Sequence, residues 1–406
     1  MDFAYSPKTQ EYLARVKAFI NEHIAPIADD VYEFMHTQNA HGDWQNWQLH
    51  PQIEHLKGLA RQEGLANLFL PDAEHGQGLT TLEYAPLAEE MGRYLFAPEI
   101  FNCNAPDTGN MEVLYHFGTD EQKATWLMPL LKGEIRSVFG MTEPDVASSD
   151  ATNMEARIDF DGDDIVINGT KWWSTGLGHP NTKVIIFMGL SNPENDRHAQ
   201  HSMVLVPVAS EGLTIKRMLT AYGDYDAPYG HGEMVLDNVR VPKENLIMGP
   251  GKGFAIAQGR LGPGRIHHCM RSIGMAEQAL ELGIKRALSR TAFGKPLAEL
   301  GGNKERIAIA RMKIEQARLL TLQAAWKIDH LGVKNAMTDI SAIKVVVPQM
   351  LQEIIDMSVQ LHGGGGMSND FPLARFMAGA RSLRLADGPD EVHMAMVSRL
   401  ELKKYQ

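Results

Sequence analysis

EARIDFDGDDIVINGTKWWSTG, residues 155–176, is the stretch on which the fold turns. Ala156, Ile158 and Phe160 alternate with polar residues, the period of a strand that buries one face. Asp161-Gly162-Asp163-Asp164 then supplies turn chemistry, and the apolar pattern resumes at Ile165, which predicts a hairpin. Strict alternation would send the paired Trp172 and Trp173 to opposite faces, one into the core and one toward a flat ligand. TKVIIFMGL (182–190), HSMVLVPV (201–208) and GEMVLDNVRVP (232–242) are further short β-rich runs. Residues 137–245 therefore predict a small β-sandwich or barrel.

On both sides the period becomes helical. In SPKTQEYLARVKAFINEHI (6–24), a Ser-Pro start precedes Tyr12, Val16, Phe19 and Ile20 at helical spacing. PQIEHLKGLARQEGLANLFLP (51–71), TLEYAPLAEEMGRYL (81–95) and DEQKATWLMPLLKGE (120–134) continue the pattern. Beyond the β region, Ile266, Met270, Ile273, Ala276 and Leu280 form one apolar stripe, and Ile307, Ile314, Ala317 and Ala324 another. A third long helix is expected over 340–361, kinked at Pro348, and a fourth from Asp390 to Lys404. The fold class is thus mainly α with a central β domain. An all-helical N-terminal domain (1–136) and a middle β domain (137–245) precede a C-terminal four-helix bundle (246–406).

The chain has 406 residues, enough for two or three domain-sized units. Its formal charge of −11 gives no support for a nucleic-acid or anionic-membrane surface. The only cysteines, Cys103 and Cys269, are too far apart for a CxxC motif, which argues against a disulfide framework or a cysteine metal site. No run approaches the ~18 apolar residues of a membrane span, and the first residues lack a signal-peptide core. These features predict a soluble cytoplasmic protein, with the mitochondrial matrix as the alternative.

Several segments combine residue types suited to a ligand. FGMTEPDVASSD (139–150) carries hydroxyls and turn residues where the helical pattern gives way to β; a capped turn accounts for it as well as a heterocycle-binding loop does. In SRTAFGKPL (289–297), Arg290 and Lys295 flank Phe293, which suits solvent or a pyrophosphate and an adenine ring. VQLHGGGGMSND (359–370) has four glycines where one would cap the helix, so the backbone turns sharply or approaches another molecule. It ends a helix rather than opening one, which disfavours a Rossmann site. RLGPGRIHHCMR (260–271) concentrates Arg265, His267, His268 and Arg271; adjacent histidines cannot share a helix face, so packing or solvation is expected rather than a metal. RLADGPDEVH (384–393) places Asp387 before Gly-Pro, the signature of a helix cap.

Taken in order, MTEPDVASSD, INGTKWWSTG, VRVPKEN, GRLGPGR, SRTAFGKPL, QLHGGGG and LADGPDEVH resemble the acyl-CoA dehydrogenase family, and most closely its branch of family members 10 and 11. The resemblance covers nearly the whole chain. It implies an FAD cofactor between the middle sheet and the C-terminal bundle. Phe139, Met141, Thr142 and Ser148 would meet the flavin on one side, and Trp173, Ser174 and Thr175 on the other. Arg290, Phe293, Gln360, Gly363 and Gly364 would hold the far end of a flavin bound mainly by a neighbouring subunit, in a homotetramer built as a dimer of dimers. Pro389 and Glu391 match flavin contacts, whereas Ser149, Arg265 and Gly388 match substrate positions.

Asp387 falls where most of the family carries a catalytic Glu. The implied reaction is α,β-dehydrogenation of an acyl-CoA in fatty acid β-oxidation, with an electron-transferring flavoprotein as acceptor. Asp is one methylene shorter than Glu, a loss of reach of roughly 1.5 Å, and Asp390 and Glu391 are the fallback carboxylates. An O₂-using acyl-CoA oxidase and a non-catalytic flavin-binding protein are the alternatives. Acyl length and branching stay open, as does a 4-oxygen or phosphorylated 4-hydroxyl substituent facing Arg265, His267 and His268.

Overall fold

The computed structural model describes residues 4–39 and 42–406. Contacts divide the chain into a sheet unit (34–57 and 104–263) and a helical unit (1–33, 58–103 and 264–406).

The sheet unit is built on seven strands: β1 (Arg136–Gly140), β2 (Arg157–Asp161), β3 (Asp164–Thr175), β4 (Thr182–Leu190), β5 (His201–Pro207), β6 (Leu213–Leu219) and β7 (His231–Pro242). They form one curled sheet in the order β1-β4-β2-β3-β7-β6, with β5 also paired to β4. The expected hairpin is β2–β3, in which Asp161 pairs with Asp164 across the turn. Ile158, Ile165, Ile167, Phe187, Val204 and Leu236 are buried in its core. Trp47 joins the same cluster, which explains why residues 34–57 belong with the sheet. Phe160 departs from the predicted alternation; near the hairpin tip it is 40% exposed.

The tryptophan pair departs as well. The β3–β7 register shifts between Lys171 and Ser174, and Trp173 takes a φ of +51°. Such a bulge breaks the two-residue alternation, so Lys171 and Ser174 turn inward and neither tryptophan fills the core. Trp172 is partly buried and Trp173 is 40% exposed.

In the helical unit, Pro7–Phe19 starts as expected, with the Ser6 hydroxyl accepting the Thr9 N–H. Thr81–Met91 opens with a capping box between Thr80 and Glu83. Three long helices follow: Gly253–Ser289, of which residues from 264 belong to this unit, Asn303–Leu331 and Met337–His362. The last runs without interruption through buried Pro348. Leu373–Ser382 is a helix that the periodicity did not predict, and Asp390–Leu402 is the final long one. The C-terminal region therefore has five helices where the stripes predicted four.

Two glycines bring backbones together. A Cβ on Gly92 would overlap the Arg271 carbonyl, and one on Gly274 would overlap the Glu89 carbonyl. Only glycine allows the Thr81–Met91 and Gly253–Ser289 helices to approach so closely. Arg318 closes the same face, with Nη2 2.7 Å from Glu89 Oε1 and 2.5 Å from Glu277 Oε1.

Candidate active site

Asp387 lies in the turn between Leu373–Ser382 and Asp390–Leu402, with a φ of +56°. It is not the helix cap: Pro389 occupies that position, and no side chain caps the helix. Proline has no N–H to lose at such a boundary, so the Gly-Pro pair displaces Asp387 outward. The main-chain carbonyl of Asp387 accepts Arg265 Nε at 3.0 Å and lies 3.2 Å from His393 Nε2. Its carboxylate Oδ2 lies 3.3 Å from His268 Nε2. A Cβ on Gly264 would stand 3.6 Å from the same oxygen, so the missing side chain leaves room beside the carboxylate. Gly388 is held close to the His393 ring, which a Cβ there would meet at 3.0 Å.

The fallback acids sit differently. Asp390 is buried in the first helical turn, where Oδ2 accepts Arg384 Nε at 2.8 Å and Gln349 Nε2 at 3.1 Å. A carboxylate tied up in this way is structural. Glu391 is exposed in the same turn.

In the sheet unit, β1 and the loop after it carry Phe139, Met141 and Thr142, and Trp172 N–H donates to the Thr142 carbonyl at 3.0 Å. The Arg260 guanidinium sits 3.9 Å from the Phe139 ring centroid, a cation–π contact, and Arg260 Nε donates to Asn110 Oδ1 at 3.1 Å. Ser174 Oγ is buried with no hydrogen-bond partner among the described residues. Thr175 Oγ1 is 3.0 Å from His231 Nδ1, and burial lowers the His231 pKa to about 4, so the ring is neutral. Ser148 serves its own loop, where its hydroxyl accepts the Glu143 N–H at 2.9 Å, while Ser149 is exposed. The loop is thus the capped turn that its residue types allowed, and it also presents a polar edge beside an exposed indole.

The sequence matches a known family along almost the whole chain. Family models described as the acyl-CoA dehydrogenase N-terminal, middle and C-terminal domains match residues 6–134, 138–239 and 251–401. The chain is 50% identical over 405 residues to the probable acyl-CoA dehydrogenase FadE2 of Mycobacterium tuberculosis, covering 98% of that protein. The chain belongs to the acyl-CoA dehydrogenase family. It is also 52% identical to mouse acyl-CoA dehydrogenase family member 10 over 98% of its own length, yet it spans only 37% of that larger protein. A solved structure of a putative acyl-CoA dehydrogenase from Mycobacterium abscessus, 58% identical, superposes with a TM-score of 0.97 and full coverage of both chains. The architecture is the three-domain acyl-CoA dehydrogenase fold.

The other positions singled out in this family member lie on the surface of the helical unit. Arg290 is exposed beside a two-residue hairpin, Thr291–Ala292 with Lys295–Pro296, whose tip is Phe293 and Gly294, both with positive φ. Phe293 is 96% exposed. Gln360, Gly363 and Gly364 are exposed where Met337–His362 ends, and Gly363 takes a φ of +64° that suits a residue without Cβ.

Sequence reasoning expected packing or solvation for both histidines. His267 does pack, with its ring centroid 5.1 Å from that of Tyr84, whereas His268 faces Asp387. His393, His231 and Arg260 were missed entirely. His231 and Arg260 owe their roles to partners distant in sequence, a relationship that local periodicity does not carry, whereas His393 reaches back six residues to the Asp387 carbonyl.

Proposed function

We propose that this family member catalyses FAD-dependent α,β-dehydrogenation of an acyl-CoA to the 2-enoyl-CoA, with Asp387 as the base. The observation that carries this reading is the placement of Asp387. It stands outside its helix on a left-handed residue, its carbonyl is fixed by Arg265, and a side-chain-free position lies opposite its carboxylate.

The residues present suit a flavin. Ser174 offers a buried hydroxyl with no hydrogen-bond partner among the described residues, and Trp173 offers an exposed indole for a flat ring. Within the sheet unit, Phe139, Met141, Thr142, Ser148, Trp173, Ser174 and Thr175 would meet the isoalloxazine; within the helical unit, Pro389 and Glu391 are assigned as flavin contacts by the resemblance. Arg290, Phe293, Gln360, Gly363 and Gly364 would take the distal end of a cofactor from a second subunit. The fully exposed Phe293 supports that assignment, and an assembly of at least two subunits, a dimer of dimers in the fuller form, follows from it. When bound, FAD supplies a hydride acceptor for the substrate β-carbon.

The chain itself handles the proton. The Asp387 carboxylate removes the α-hydrogen as H⁺, while the main-chain N–H of the same residue steadies the thioester oxygen as enolate charge develops. Arg265 fixes the backbone from which both groups project. Ser149 is assigned to the CoA portion of the substrate and Gly388 to substrate binding. Electrons then pass to an electron-transferring flavoprotein.

Asp387→Asn tests the reading. The variant should keep its FAD, as judged by visible absorbance, and lose roughly 10²–10⁴-fold in anaerobic flavin bleaching by acyl-CoA. Near-normal bleaching in a flavin-loaded variant removes Asp387 as the base.

A further inference from the structure

The helix Gly253–Ser289 sets an imidazole against the proposed base. His268 Nε2 lies 3.3 Å from Asp387 Oδ2, while the other ring nitrogen, Nδ1, faces Arg271 Nη2 at 3.3 Å. A guanidinium has donors only. Nδ1 must therefore accept, which leaves the single ring proton of a neutral imidazole on Nε2, pointing at the carboxylate. Arg271 is itself anchored, because Nη1 donates to the Cys103 carbonyl at 3.1 Å. A directed chain results: the Cys103 carbonyl orients Arg271, Arg271 orients His268, and His268 donates to Asp387. All four residues belong to the helical unit.

The surroundings favour that protonation state. An imidazolium would carry a second hydrogen on Nδ1, directed at a cationic donor. Burial, and then the charges of Arg271 and Lys344, push the ring toward neutrality, and Asp387 alone pulls the other way. The other charged or titratable groups around the pair are accounted for. Arg265 is engaged with the Asp387 carbonyl. His393 touches the same carbonyl and is lowered by burial to about 4. His267 is lowered to about 3 and packs on Tyr84. Burial pushes the Cys269 thiol up to about 12. Asp390 is bound by Arg384.

We propose that His268 is a positioning residue for the base: as a neutral imidazole it donates Nε2–H to Asp387 Oδ2, and Arg271 selects the tautomer that makes this possible. The inference rests on Asp387 being the base. A carboxylate on a single methylene swivels freely about two torsions, and one fixed donor both aims it and favours its ionised form. Loss of the donor should therefore slow proton abstraction and make the carboxylate easier to protonate.

The test uses the FAD-loaded enzyme and anaerobic stopped-flow bleaching across pH. The probe is whichever of butyryl-, octanoyl-, palmitoyl- or isobutyryl-CoA bleaches the wild type fastest. His268→Leu should bleach about tenfold to a hundredfold more slowly at pH 7 with unchanged flavin content. The midpoint of its acid limb should rise by about one pH unit. His268→Gln, which carries an N–H to the same region, should recover most of the rate and return the midpoint toward the wild-type value. A purely structural histidine would lower the rate without moving the acid limb. If Asp387→Asn is inactive while His268→Leu keeps the wild-type rate and profile, the positioning role is overturned and the base survives. If Asp387→Asn stays active, the base fails and the positioning role falls with it. Should His268→Leu lose its flavin, His268→Gln is compared with His268→Met, and identical acid limbs in that pair overturn the proposal.

Discussion

Lys171 Nζ lies 2.7 Å from Glu143 Oε1, and the lysine side chain is wholly buried, with its ammonium 4.8 Å from the Phe187 ring centroid. The ammonium also donates to the Met141 carbonyl at 2.8 Å, and Glu143 accepts the Glu155 and Ala156 N–H groups at 2.8 and 3.1 Å. One buried ion pair thus fastens both ends of the 141–156 loop to β3. Burial of a lone charge costs far more than burial of a satisfied pair.

Lys171→Met should therefore destabilise the protein by about 3–5 kcal/mol, because it strands the Glu143 carboxylate. Lys171→Met/Glu143→Gln should cost less than Lys171→Met alone, since it removes the stranded charge while the single amide oxygen still accepts one of the two main-chain N–H groups. Chemical denaturation of the three proteins checks the order, and flavin absorbance checks whether the loop has come loose.

His267 gives a pH dependence with a definite sign. Its ring is buried, its Nδ1 has no hydrogen-bond partner among the described residues, and its pKa falls from 6.5 to about 3 on folding. Below pH 6.5 the unfolded chain binds a proton that the native state refuses, so stability rises with pH and is lost as pH falls from 6.5 toward 3. His267→Phe keeps the aromatic contact and deletes the titration. Relative to the variant, the wild type should lose up to about 1.4 kcal/mol more per pH unit across that window. Parallel pH profiles of unfolding for the two proteins would contradict this.

Phe293 separates stability from assembly. An almost fully exposed ring adds little to the fold of its own chain, so Phe293→Ser should change stability by no more than about 0.5 kcal/mol. The same change should lower flavin retention through gel filtration, and light scattering should show weaker association. Unchanged flavin content and mass would remove the hairpin from the cofactor site.

Much of the fold was legible because periodicity is a local property. The β2–β3 hairpin, the Ser6 cap and the stripe from Ile266 to Leu280 all follow from residues a few positions apart. The errors arose where a local rule met an irregular backbone. A bulge cancelled the alternation at Trp172 and Trp173, and Pro389 took the cap that Asp387 was expected to fill. The short Leu373–Ser382 helix escaped notice because ten residues hold few turns of a pattern. The candidacy of Asp387 as the base was legible in motif order. Its partnership with His268 was not, since the two meet only when a turn and a helix far apart in sequence pack together.

The interlocking of Gly92 and Gly274 has a consequence for how this protein tolerates change. Main chain rests on main chain there, so the helix bearing His268 and Arg271 cannot creep along its neighbour or roll against it without collision. The aim of the imidazole is therefore referenced to a mechanical datum that contains no functional group. Replacing either residue would disturb that datum as surely as replacing a functional group, although neither has a side chain to contribute.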